Sequence, residues 1–163
     1  MRFVLIDRIL TLEPGKRAVA TKTFSPDETF FADHFPGFPV VPGVLLTEAM
    51  GQAGGWLLAS ETGLARWPLL SLIDRATFRR LVRPLEVLTL EATVRSRRGD
   101  DVEIRAEARV GEERVADARL LFHLFEPPAV RGEGPSAFDA WARETFDRLI
   151  SPAADAPPGE IRA

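Results

Sequence analysis

The sequence predicts an α+β fold: one long, nearly all-apolar helix lies against an antiparallel sheet, and a short helical extension follows. Two features lead to it. The run from Gly43 to Ser60 carries only Thr47, Glu48, Gln52 and Ser60 as polar residues and has no β-branched cluster, so it reads as a helix buried on nearly all sides. From Glu86 onward the apolar period switches to two, with Leu88, Leu90, Ala92 and Val94 alternating with polar residues, then Val102, Ile104, Ala106, Ala108 and Val110 doing the same. Such segments are strands with one wet face. Glycines 99 and 111 separate them from each other and from a third run, 113–125, which gives an antiparallel meander.

The remaining elements follow in chain order. Residues 2–13 form a first strand that closes on the turn pair Pro14-Gly15, and 17–24 return as its partner. Residues 68–73 make a further strand. A domain over 1–126 is expected, then a Pro/Gly linker, then a short amphipathic helix capped by Ser136 with Phe138, Trp141, Phe146 and Leu149 on one face. That helix docks on the body or on a second subunit. Residues 151–163, rich in Pro and Ala, are expected to be disordered.

Composition removes several function classes. A chain of 163 residues, 45% hydrophobic, suits one compact core. Its formal net charge of −3 supplies no basic field for nucleic acid. Cysteine is absent, which removes disulfides, thiolate metal sites and a cysteine nucleophile, and accords with a reducing cytoplasm. Arg2, Asp7 and Arg8 interrupt the N-terminal apolar residues, so no signal peptide is expected. The long helix is shorter than a membrane span and holds a Glu and a Gln that lipid would disfavour. Neither a metal-ligand cluster nor a glycine-rich nucleotide loop is visible.

Chemistry concentrates between Phe31 and Ser60. His34 sits in the loop FADHFPGFPVVPG, where Pro36, Pro39 and Pro42 fix the backbone, and Glu48 stands alone inside the apolar helix. A stiffened loop holding an imidazole is a setting for a general base near neutral pH, although a structural histidine is the plain alternative. For Glu48 the plain alternative is a carboxylate paired with an arginine. His123 shares a strand face with Asp117 and Arg119 and is assigned no chemistry.

The stretch DHFPGFPVVPGVLLTEAMGQAGG, with LIDRILTLEPGKRAVATK before it and FRRLVRPLEVLTLEATV and VADARLLF after it, resembles the FabZ-type 3-hydroxyacyl-[acyl-carrier-protein] dehydratases. The resemblance implies a hot-dog fold, a long helix wrapped by a curved antiparallel sheet, working as a homodimer or trimer of dimers. It implies His34 as catalytic base and Glu48 as catalytic acid, meeting across the dimer interface. Gly43 would bind the thioester carbonyl through its N–H, and Phe38, Val44, Met50 and Gln52 would line the acyl tunnel. The reaction needs no cofactor on the enzyme, and Glu48 would have to stay protonated or hold a water. An acidic acyl carrier protein is the implied partner, and Arg75, Arg79, Arg80 and Arg83 are candidates to meet it, with a locally paired arginine run as the alternative. The chain departs from the family pattern at Asp33 and at Leu85, each in a position where glycine is usual; Asp33 would either orient His34 or place negative charge beside it. A hot-dog thioesterase and a non-catalytic acyl-binding subunit stand as the other readings.

Overall fold

A computed structural model describes residues 3–126 and 137–151. Six strands, β1 (Arg8–Glu13), β2 (Arg17–Thr23), β3 (Trp67–Phe78), β4 (Val87–Arg98), β5 (Asp101–Val110) and β6 (Glu113–Phe125), form one sheet in the order β1-β2-β4-β5-β6-β3. Every neighbouring pair is antiparallel. Helix α1 spans Gly43–Ser60, as its apolar run predicts, and α2 spans Ala137–Ile150. A short 3₁₀ turn, Thr29–Ala32, leads into the histidine loop.

Helix α1 touches all six strands, so the sheet curves around it. This is the hot-dog arrangement. The two-residue alternation sets the core: Leu88, Leu90 and Ala92 of β4, Ile104, Ala106 and Ala108 of β5, and Leu120, Phe122 and Leu124 of β6 turn inward against Leu46, Met50, Ala53 and Leu57 of α1. The hairpins at Gly99 and Gly111 need positive φ (59° and 57°), which glycine adopts without strain.

Several expectations shift. The first strand begins at Arg8, because the Leu5 N–H is taken by the side-chain oxygen of Gln52 on α1 (2.7 Å) and leaves the sheet; residue 2 lies outside the described residues. β3 is longer than the apolar run at 68–73 and continues to Phe78, its outer residues Asp74 and Arg75 facing solvent on an edge strand. Helix α1 is not enclosed all round: Val44 is exposed, and Glu48, Gln52 and Gly55 are half-buried on one open face. α2 docks on the body, burying Ala142, Thr145 and Leu149. The linker, the Ser136 cap and the C-terminal tail lie outside the described residues.

Leu85 adopts φ 67°, a left-handed conformation that costs an L-residue roughly 1–2 kcal/mol. Leu85 is 66% exposed, so little burial offsets that strain. Leu85→Gly is expected to raise stability by about 0.5–1 kcal/mol, the strain relief less glycine's entropy cost. A denaturant melt checks it, and a lower midpoint at unchanged slope would show that the leucine side chain contributes more than its backbone costs.

Candidate active site

The loop around His34 is tied down by its own backbone. His34 N–H donates to Phe30 O (3.0 Å), Val40 N–H donates to His34 O (3.1 Å), and Phe35 and Phe38 exchange backbone bonds at 3.3 and 2.9 Å. A cis peptide joins His34 to Phe35. The imidazole Nδ1 lies 3.1 Å from Val40 O, and the ring stacks on Phe35 with centroids 4.3 Å apart. A carbonyl oxygen only accepts, so Nδ1 carries the hydrogen, and the neutral ring keeps its lone pair on Nε2. Val40, and not Asp33, therefore orients the ring: among the described residues no bond links Asp33 to His34.

Glu48 lies one and a half turns into α1 and meets no arginine or lysine within salt-bridge distance among the described residues. Its partner is neutral: Gln52 Nε2 donates to Glu48 Oε1 at 2.9 Å. Gln52 in turn is oriented by the N-terminal segment, since its Oε1 accepts from Leu5 N–H (2.7 Å) and its Nε2 also reaches Phe3 O (3.3 Å). That network assigns the amide's two ends. Among the described residues no hydrogen bond reaches the other oxygen of Glu48.

Glu48 and Gln52 open onto a cavity of about 340 Å³, walled on one side by α1 and on the other by Pro68, Leu69 and Leu70 of β3 with Phe122 and Phe125 of β6. On the helix, positions 48, 51, 52, 55 and 56 share one face at i, i+3, i+4 spacing. Of the residues assigned to a tunnel, Gln52 lines the cavity. Met50 does not, being fully buried in the core on the sheet side of α1, and Phe38 and Val44 are exposed elsewhere. His34 is also not among the lining residues.

Gly43 begins α1 behind Pro42, which provides no side-chain cap. The first N–H groups of a helix have no intrahelical acceptor, and the helix dipole is positive there. A Cβ on Gly43 would sit 3.0 Å from the Phe78 ring, so packing as well as access favours glycine.

The arginine run divides. Arg80 is held by Glu86 (2.9 and 3.0 Å), Glu113 (2.8 Å) and Leu81 O (2.7 Å), and Arg79 pairs with Asp117. The Arg80 hydrogen bonds hold the Glu86 carboxyl below the ordinary carboxylate range, against the desolvation that raises it. A depressed carboxylate contributes stability present above its unfolded pKa and lost as pH falls through the folded value, so this bridge fails on acidification. Arg75 and Arg83 are exposed and lie in no salt bridge among the described residues; Arg75 donates to Thr77 Oγ1 (3.2 Å), and Arg83 lies over the Phe38 ring at 4.7 Å. His123 is exposed on its strand and bonded to Asp101 (2.7 Å).

Among the described residues no group of His, Cys, Asp or Glu is placed to hold a metal ion, and no helix is long and apolar enough to cross a membrane.

Solved structures share the fold. A point mutant of the fluoroacetyl-CoA-specific thioesterase FlK matches with a TM-score of 0.58 at 17% identity over 71% of this chain and 96% of its own. The Escherichia coli PaaI protein matches with 0.58 at 21% over 71% and 81%. Sequence relatives are nearer. The 3-hydroxyacyl-[acyl-carrier-protein] dehydratase FabZ of Desulforamulus reducens is 47% identical over 75% of this chain and 87% of its own length. The FabZ of Symbiobacterium thermophilum is 48% identical over 76% and 88%. Residues 1–119 match the FabA-like domain. With the hot-dog sheet, the histidine loop and an acid-bearing central helix in place, these similarities show that the chain belongs to the FabZ-type 3-hydroxyacyl-[acyl-carrier-protein] dehydratase family.

Proposed function

We propose that this protein removes water from (3R)-3-hydroxyacyl chains carried on acyl carrier protein, giving the trans-2-enoyl thioester in fatty acid or related lipid synthesis. The observation that carries the reading is how the two ionisable groups are held. Val40 O fixes His34 with Nε2 free to accept a proton, and a neutral amide holds Glu48 at the mouth of an apolar cavity.

The step balances on these groups. His34 Nε2 takes a proton from C2, and the C–H electron pair becomes the C2–C3 double bond as the C3–O bond breaks. Glu48, entering protonated, gives its proton to the departing hydroxyl, which leaves as water. Negative charge building on the thioester oxygen is met by the Gly43 N–H and the positive end of α1. The enzyme is left with an imidazolium and a carboxylate, and transfer of one proton back to Glu48 resets it.

A second copy of this chain is the natural way to bring His34 to the Glu48 cavity. β3 is a twelve-residue edge strand with Leu69, Leu72, Ile73 and Phe78 about half exposed. An open, long, apolar edge favours pairing with another strand. We therefore assign the working unit as a homodimer joined along β3, with each site taking His34 from one protomer and Glu48 from the other.

Following the absorbance of the conjugated enoyl thioester, with thiol release measured in parallel, tests the reaction. Enoyl formation without thiol supports the proposal, and thiol release without enoyl product would replace it with a thioesterase. For the partner, Arg83 is the informative position, because reversing Arg80 would break its internal bridges and Arg75 lies on the β3 edge assigned to the dimer. Arg83→Glu is expected to raise KM for the carrier-bound substrate by about threefold or more, as loss of a steering charge does, and to leave a small pantetheine thioester unaffected. Equal loss on both substrates would mean damage to the site instead.

A further inference from the structure

The cavity beside Glu48 is lined in part by residues that the family match does not cover. Its floor follows one stripe of α1, where Gly51 and Gly55 carry no side chain. A Cβ on either would meet only Leu70 or Pro68, at 3.8 and 3.7 Å, which is ordinary contact. Trp56 lines the same cavity about two helical turns beyond Glu48. There three tryptophans from three elements converge: Trp67 of β3 stands edge-on to Trp56 at 5.3 Å, and Trp141 of α2 lies 6.3 Å from each. Phe138 packs edge-on to Trp67 (4.8 Å) and Phe146 stacks on Trp56 (5.8 Å), so α2 is pinned to this end by its aromatic face. Residues 137–150 lie beyond the 1–119 match to the FabA-like domain.

We infer that α2 sets the acyl chain length: Trp141, closing on Trp56 and Trp67, is the end wall of the acyl channel and excludes long chains. This rests on the dehydratase reading for the identity of the ligand. Eight residues separate Glu48 from Trp56, a rise of about 12 Å along the helix. An extended chain advances about 3.5 Å per three bonds, so about ten bonds beyond the reacting carbons reach the tryptophans. A 3-hydroxyoctanoyl group fits within that length, and a 3-hydroxyhexadecanoyl group does not. The wall is apolar and aromatic, suited to a terminal methyl and to nothing charged.

The test compares octanoyl and hexadecanoyl substrates, both on the carrier, with wild type and with Trp141→Ala. Wild type is expected to favour the shorter chain in kcat/KM by at least about tenfold, and Trp141→Ala to shrink that preference by about tenfold by raising the hexadecanoyl value. Octyl and hexadecyl thioethers on the carrier's phosphopantetheine give the same comparison as dissociation constants, without turnover. If the protein proves not to be a dehydratase, turnover is absent but the thioether preference still shifts in Trp141→Ala. Should Trp141→Ala lose octanoyl activity through misfolding, Trp141→Leu, which keeps the helix docked with a shorter side chain, takes its place. An unchanged length preference in a folded variant, by turnover and by thioether binding alike, overturns the inference.

Discussion

His34→Ala is expected to lower kcat for dehydration by about 10²–10⁴-fold, the contribution of a positioned general base, with the fold retained. The fold survives because the loop is closed by backbone bonds that alanine keeps, those of residue 34 to Phe30 and Val40. What disappears is the Nε2 lone pair. Because Asp33 makes no bond to the imidazole, Asp33→Ala is expected to leave kcat within about threefold of wild type, which separates loss of the base from general disturbance of the loop. Steady-state rates with a thermal melt of each variant check both expectations. A folded His34→Ala enzyme with near-wild-type kcat would require a different base.

Mixing two inactive variants should restore activity. If each site takes His34 from one protomer and Glu48 from its partner, a heterodimer of His34→Ala and Glu48→Gln subunits contains one site with both wild-type groups and one with neither. Random exchange makes about half the dimers mixed, so about a quarter of wild-type activity is expected after the two proteins are unfolded together and refolded. Glu48→Gln keeps the shape and the contact with Gln52 while removing the acidic proton, which makes it the suitable partner. No recovery, with dimers confirmed by sedimentation, would place both groups in one protomer and leave the exposed β3 edge without a catalytic reason.

The parts of the fold that the sequence made legible are those in which one physical rule acts alone. α1 starts at Gly43 because three prolines forbid helix before it, and it is helical to Ser60 because nothing interrupts the apolar run. β5 alternates in sequence and its burial follows as far as Ala108, and β6 buries every second residue from Ala116 to Leu124. Legibility failed where two rules compete. β3 is an edge strand whose Ser71, Asp74 and Arg75 face water, so its pattern fades before its hydrogen bonds to β6 do. Arg80 reads as part of a basic patch, but Glu86 and Glu113 reach it from different parts of the chain and neutralise it. The Gln52 side of α1 carries Glu48 and Gln52 and the Met50 side carries neither, yet the whole run reads as core in sequence, and only the sheet's position shows which side lines the cavity. The tryptophan end wall joins residues 56, 67 and 141, a separation at which local spacing carries no information.

The intact mass of the carrier protein itself, before and after incubation with the wild-type enzyme, tests the central claim most directly. A 3-hydroxyacyl carrier that becomes lighter by one water, with its acyl chain still attached, is the predicted result, and the change should be missing with Glu48→Gln. Reappearance of the free phosphopantetheine carrier would contradict the account in favour of thioester hydrolysis, and an unchanged mass from a carrier that nonetheless binds would reduce the protein to an acyl-binding subunit.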